Sequence, residues 1–244
     1  MIEIATEAAV DSAKLDDAHN RILSTARDSY ISEDRVQESM ILGWERAVEH
    51  FFENGRLDEE EEAPLRQFLS RFGLGPDLVD VRGAFSRLVK GAVLRDVMNG
   101  VVPKRIEIEG SLPFNFQKTE NLIWLFPGTE YLENKVRRHY QGGHHGVSLR
   151  VAKGVYYRVG AFKGAPVETT ETVSFGKGAF AVTDRHLYFS GGKSFRVRHD
   201  KIVAIDPHSD GVTIHRDAQS ALPQIFLTGD GWFTYNLLAN ISNL

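Results

Sequence analysis

The sequence predicts an α+β chain, a helical bundle over residues 1–103 followed by an antiparallel β-sheet over 104–244 that a C-terminal helix closes. Three observations carry this. Apolar residues recur at steps of three and four up to about Gly100. They alternate at steps of two beyond Pro103. The last dozen residues return to helical spacing. Charge divides at the same place: residues 1–100 hold 20 acidic and 12 basic side chains, whereas 101–244 hold 13 and 17. We therefore read two units, 1–103 and 104–244, with different surfaces.

In the first unit, Leu15, His19, Ile22 and Ala26 form one stripe. A second helix follows Ser32 as N-cap and carries Val36, Met40, Trp44, Val48, Phe51 and Phe52. Asp58 caps a third, with Glu59 to Glu62 in its first turn, where carboxylates suit the helix dipole, and Gly73 ends it. Pro76 opens a fourth, with Leu78, Val81, Phe85, Leu88, Val89, Ala92 and Val97 inside. The aromatic residues Trp44, Phe51 and Phe52 share a helical face, which marks core.

In the second unit, residues 105–112 alternate and read as a strand, and 121–126 are a continuous apolar run. Strand-like runs follow at 147–151, 155–159 and 167–173. Four more lie between 173 and 217, and a last one at 224–227. Phe233, Leu237, Leu238 and Ile241 fall on one helical face, and that helix, with Trp232, is expected to plug one end of a curved sheet or partly open barrel. Gly178, Thr183 and Asp184 are assigned to a hairpin, because a short polar pair can hydrogen-bond its own backbone.

Composition excludes several functions. There is no cysteine, so disulfides, thiolate catalysis and cysteine-ligated zinc are impossible. No apolar run approaches the ~20 residues that span a bilayer. The N-terminus bears acids where a secretory signal needs a basic start, and we read it as native, in a bacterial cytoplasm. The net charge of −4 and the small basic excess of the second unit give no reason to expect nucleic-acid binding.

The stretch Gly178-Ala179-Phe180-Ala181-Val182-Thr183-Asp184-Arg185-His186-Leu187-Tyr188-Phe189 resembles the G-x-L-x-(I/V)-T-(N/D)-x-R-(L/I)-x-F hairpin of GRAM and bacterial PH-like domains, with the basic residue one place off. Phe195-Arg196-Val197, residues 201–205 and residues 210–214 are similar to that family's next strands, and residues 118–124 to its opening strand. The resemblance covers roughly residues 114–244 and leaves 140–160 as an insertion. It implies a PH-like β-domain. It does not imply one function, because such folds serve lipid, peptide and self-association roles alike. The run Asn54-Gly55-Arg56-Leu57-Asp58-Glu59-Glu60-Glu61, leading into a helix, looks like the inter-helix turn of TerB-like helical bundles; the match covers roughly residues 42–100 and implies a bundle shape and no metal site.

The candidate chemistry gathers around a Gly/His-rich loop at 140–146. Its glycines let backbone N–H groups approach an anion, and basic residues flank it. Arg137, Arg138, His144, His145, Arg150 and Lys153 are the expected anion- or partner-binding residues. A glycine-rich hairpin with solvated charges is the competing reading. No Lys-Ser/Thr follows, so this is no P-loop, and no nucleotide or other cofactor is expected. Adjacent histidines on an extended strand point to opposite faces, so His139, His144 and His145 are assigned no metal. Ser174, His186 and Asp206 can be combined as a triad on paper, but no nucleophile elbow exists, and 206–210 reads as a Pro/Asp turn. The function expected is a non-enzymatic binding or adaptor protein acting on a protein partner or on itself. A second reading is peripheral attachment to an anionic membrane through residues 135–138 and 196–201. A third is a hydrolase using the His-rich loop.

Overall fold

A computed structural model describes residues 1–53, 57–108, 110–141, 147–152, 155–159, 165–218 and 221–244, with side chains described outside 136–170. The chain is α+β, with helices, then a seven-stranded antiparallel open sheet, then a C-terminal helix.

The helical part contains α1 (Ile2–Val10), α2 (Leu15–Asp28), α3 (Glu33–Phe51), α4 (Glu59–Phe72), α5 (Pro76–Val79) and α6 (Ala84–Met98). Helix α1 precedes the first predicted stripe. It buries Ala5, Ala8 and Ala9 against α3, where Gly43 makes room: a Cβ there would lie 2.4 Å from the Ala5 methyl. Ser32 is the N-cap of α3 by position, but its side chain makes no capping bond. Helix α4 begins as expected in a capping box between Asp58 and Glu61 and ends at Gly73 in the left-handed conformation.

The single helix expected from Pro76 is two helices. Asp80 accepts bonds from the Ser86 amide (2.7 Å) and hydroxyl (2.6 Å), and Gly83 turns the chain at φ 77°. The break leaves Leu78 and Val81 exposed instead of inside. The two ends of α6 then serve different cores. Leu88 and Ala92 join the helical core, and Val93, Leu94 and Val97 join the core under the sheet.

The strand expected at 105–112 is not formed by the described residues of that segment, which have no regular structure. Its first residue, Arg105, is held by Glu62 and Asp96. The sheet is built from β1 (Leu122–Gln141), β4 (Ala165–Thr183), β5 (His186–Ser190), β6 (Ser194–Arg198), β7 (Ile202–Pro207), β8 (Gly211–Arg216) and β9 (Gln224–Leu227). Between its first two members lies a separate hairpin, β2 (Val147–Ala152) with β3 (Val155–Val159). The order is β6-β5-β4-β1-β9-β8-β7. Strands expected separately at 167–173 and 179–182 are one strand, β4. Together with β1 it runs on as a two-stranded arm: among the described residues no third strand pairs with β1 past Glu133.

The order implies curvature. Strands β6 and β7 are the two edges, yet only residues 199–201 join them. In a flat sheet six spacings of about 4.8 Å would separate them by ~29 Å. Four Cα steps span at most ~15 Å. The sheet therefore curls until its edges meet at that corner. Helix α7 (Gly231–Asn240) packs on β7 and β8 and fills the interior with Phe233, Leu237 and Leu238, beside Tyr131, Phe180, Phe189 and Phe226. Trp232 does not share this role. It is 57% exposed, because it sits one residue off the inward face.

Candidate functional site

The corner where the sheet's edges meet holds a cavity of about 580 Å³ lined by Gln117, Asp184, Arg185, His186, Arg196, Arg198, His199 and Asp200. Cross-strand register assembles it. Arg198 pairs opposite His186 and Arg196 opposite Tyr188, and Arg185 precedes that strand. Three guanidiniums from the two ends of one hairpin thus share a mouth.

The floor is rigid. The Thr183 hydroxyl accepts from the amides of His186 (2.9 Å) and Arg185 (3.2 Å), closing the β4–β5 turn. Asp184 accepts from the amide (3.1 Å) and side chain (2.9 Å) of Asn121, fastening the turn to the start of β1. The hairpin role expected of Thr183 and Asp184 is what the geometry gives. Gly178 has its own reason: a Cβ there would lie 2.3 Å from the Ser190 carbonyl oxygen.

Beneath the turn lies the fully buried Glu120 carboxylate. It accepts from Tyr188 Oη (2.6 Å), the Gln117 amide (2.7 Å), the Thr183 hydroxyl (3.2 Å) and His186 Nδ1. Burial pushes its pKa up, but the bonds from Tyr188, Gln117 and His186 outweigh burial and hold it below the usual range. Phe114 and Phe116 lie edge-on to Tyr188, and Gln117 of the same segment lines the pocket.

His199 sits in the corner turn. Its Nε2 donates to the Thr183 carbonyl (2.8 Å), which leaves Nδ1 as the acceptor, buried and without a partner. Burial, first, lowers its pKa, so the ring is neutral at pH 7. Three arginines face two carboxylates, Asp184 and Asp200, in the lining, so the excess charge is positive. Arg198 pairs with Asp200 (2.8 Å), and Arg185 meets no carboxylate among the described residues. No hydroxyl nucleophile stands free among the described lining residues, since the nearby Thr183 hydroxyl is used by the turn. The arrangement suits recognition of an anion by arginine forks.

Of the residues expected to bind an anion, only the backbone pairing of three is described. Arg137 and Arg138 lie on the arm opposite Thr169 and Glu168, and Arg150 lies on β2 opposite Tyr156; their side chains are outside the described set. His144, His145 and Lys153 lie outside the described residues altogether. Of the two basic stretches considered for membrane contact, 135–138 begins on β1 with Lys135, which shares the Phe175 ring with Lys193 (5.1 and 3.9 Å), and Arg196, Arg198, His199 and Asp200 of the other line the pocket. The paper triad does not assemble: Ser174 bonds Glu130, His186 bonds Glu120 and Asp206 bonds His215. Among the described residues no cluster of three or more His, Asp or Glu could hold a metal ion, and no helix is long and apolar enough to cross a membrane. Compared with known protein families, curated proteins and solved structures, the chain matches none.

Proposed function

We propose that this chain is a non-enzymatic binding module whose second half is PH-like and which recognises an anionic group on a protein partner at the Arg185–Arg196–Arg198 corner. The observation that carries the reading is the convergence of three exposed guanidiniums over a floor fixed by Thr183, Asp184 and Glu120. The antiparallel meander on either side of β1 and the helix over the curl support the PH-like assignment. Pre-organised donors cost little ordering entropy when a carboxylate or phosphate arrives.

Attachment to an anionic membrane is the second reading, favoured by Val203, an apolar residue 63% exposed two places from the exposed Lys201 at the same corner. One experiment separates them. The native protein and an Arg185→Gln/Arg196→Gln variant are titrated with acidic and phosphorylated peptides and with vesicles containing phosphatidylserine, at 50 and 150 mM salt. Peptide binding lost in the variant supports the first reading. Vesicle binding lost in the variant supports the second. Binding that survives the substitution, or none by the native protein, removes the corner as a site.

A further inference from the structure

A second cavity, about 520 Å³, lies far from the arginine corner in sequence, between α6 and the first turn of α7. Phe52 and Gly91 line it at the α3–α6 contact. Gly91 is required for this approach, because a Cβ would lie 2.4 Å from the Phe52 ring. Arg87 and Lys90 line one wall, and Trp232 another.

The charges here are unequal. Lys90 is neutralised by Asp230 at 2.7 Å. The Arg87 guanidinium lies 4.8 Å above the Phe52 ring and has no carboxylate partner among the described residues. One cation without a carboxylate partner therefore lines the same hollow as Trp232. Trp232 stands out for the same reason. Its neighbours Phe233, Leu237 and Leu238 are buried, whereas its indole is left largely in water beside an apolar hollow. A volume of this size accommodates a small ligand with an apolar body, and an arginine fork pairs with a carboxylate in two parallel bonds.

We propose that this cleft binds a monocarboxylate carried on a flat apolar body, with Arg87 on the carboxylate and the body against the exposed indole of Trp232. The charge complementarity is one to one: a dianion would leave a charge unmatched, and a neutral aromatic would leave Arg87 unused. Such chemistry is offered by a free aromatic acid or by the C-terminal aromatic residue of a peptide. The site is independent of the arginine corner.

The test is calorimetric titration with 2-naphthoate, 2-naphthamide and acetate, and with a pentapeptide ending in Phe as free acid and as amide. The native protein should bind 2-naphthoate at least tenfold more tightly than either control. Arg87→Gln and Trp232→Ala should each weaken it tenfold or more while retaining the native far-UV circular dichroism and melting cooperativity. Preference for the peptide acid over its amide, at higher affinity than naphthoate, identifies a chain terminus as the source; the reverse identifies a free acid. Equal affinity for naphthoate and naphthamide, undiminished binding by folded Arg87→Gln, or no binding of either acid by the native protein up to several millimolar overturns the proposal.

Discussion

Replacing Glu62 by Gln should be the most damaging near-isosteric change in the helical half. Glu62 is buried in α4 and accepts from Arg66 Nε (2.5 Å), Arg105 Nη1 (2.5 Å) and Arg95 Nη2 (2.7 Å). Asp96 shares the load, accepting from Arg105 Nε (2.8 Å) and from Arg95 Nη2 (3.1 Å). Arg66 and Arg105 reach solvent and can rehydrate, whereas Arg95 is buried and already has one unpartnered nitrogen, Nη1. Removing one partner of a buried pair costs about 3–5 kcal/mol, and with two of three cations able to rehydrate we take ~3 kcal/mol. For a chain of this size that lowers Tm by roughly 6–12 °C. Burial pushes the Glu62 pKa up, but Arg95, Arg66 and Arg105 outweigh it, so the folded value lies below the ordinary 4.5. A depressed folded pKa adds stability above the unfolded value, and this is lost as pH falls through the folded one. The deficit of Glu62→Gln should therefore be full at pH 7 and shrink below about pH 4.5. Urea titrations of both proteins at several pH values provide the measurement. A deficit under ~1 kcal/mol at pH 7, or one that does not change with acid, would refute the reasoning.

Two contrasts test the second core. Leu237→Ala should cost about 2–5 kcal/mol in urea unfolding, because Leu237 is fully buried inside the curl, whereas Trp232→Ala should cost under about 1 kcal/mol. Similar losses for the two would contradict the inward and outward faces assigned to α7. Gly178→Ala should destabilise by roughly 1–3 kcal/mol, since its methyl meets the Ser190 carbonyl and pries β5 from β4; an unchanged melt would show that the hairpin has slack there.

The order of helices and strands was legible because large apolar side chains mark their own period. Where small or polar residues decide, it was not. Helix α1 buries alanines, which leave no bulky stripe, and its partner is a glycine on α3. The break between α5 and α6 depends on Asp80 capping from six residues away, a contact that apolar periodicity does not register. The alternation at 105–112 predicts a strand, but a ladder also needs a neighbour, and Arg105 is instead drawn into the Glu62–Asp96 charge cluster.

The candidate site shows the same distinction between local pattern and long-range partner. Density of basic residues along the chain points to Arg137, Arg138, Arg150 and Lys153, but it does not register cations brought together across a hairpin. The hairpin of β5 and β6 doubles back across residues 191–193. Writing out that pairing places Arg198 opposite His186 and hence beside Arg185. That signal was available before any coordinates. What no pattern supplied was the third wall: Gln117 lines the pocket beside Glu120, whose buried carboxylate gathers Tyr188, His186 and Thr183 from the neighbouring strands. A buried acid in a segment without regular structure thus fixes the wall against which the exposed arginines converge. Glu120→Gln should disorganise the pocket although all three arginines remain, and weaken any acidic-peptide binding seen in the titration.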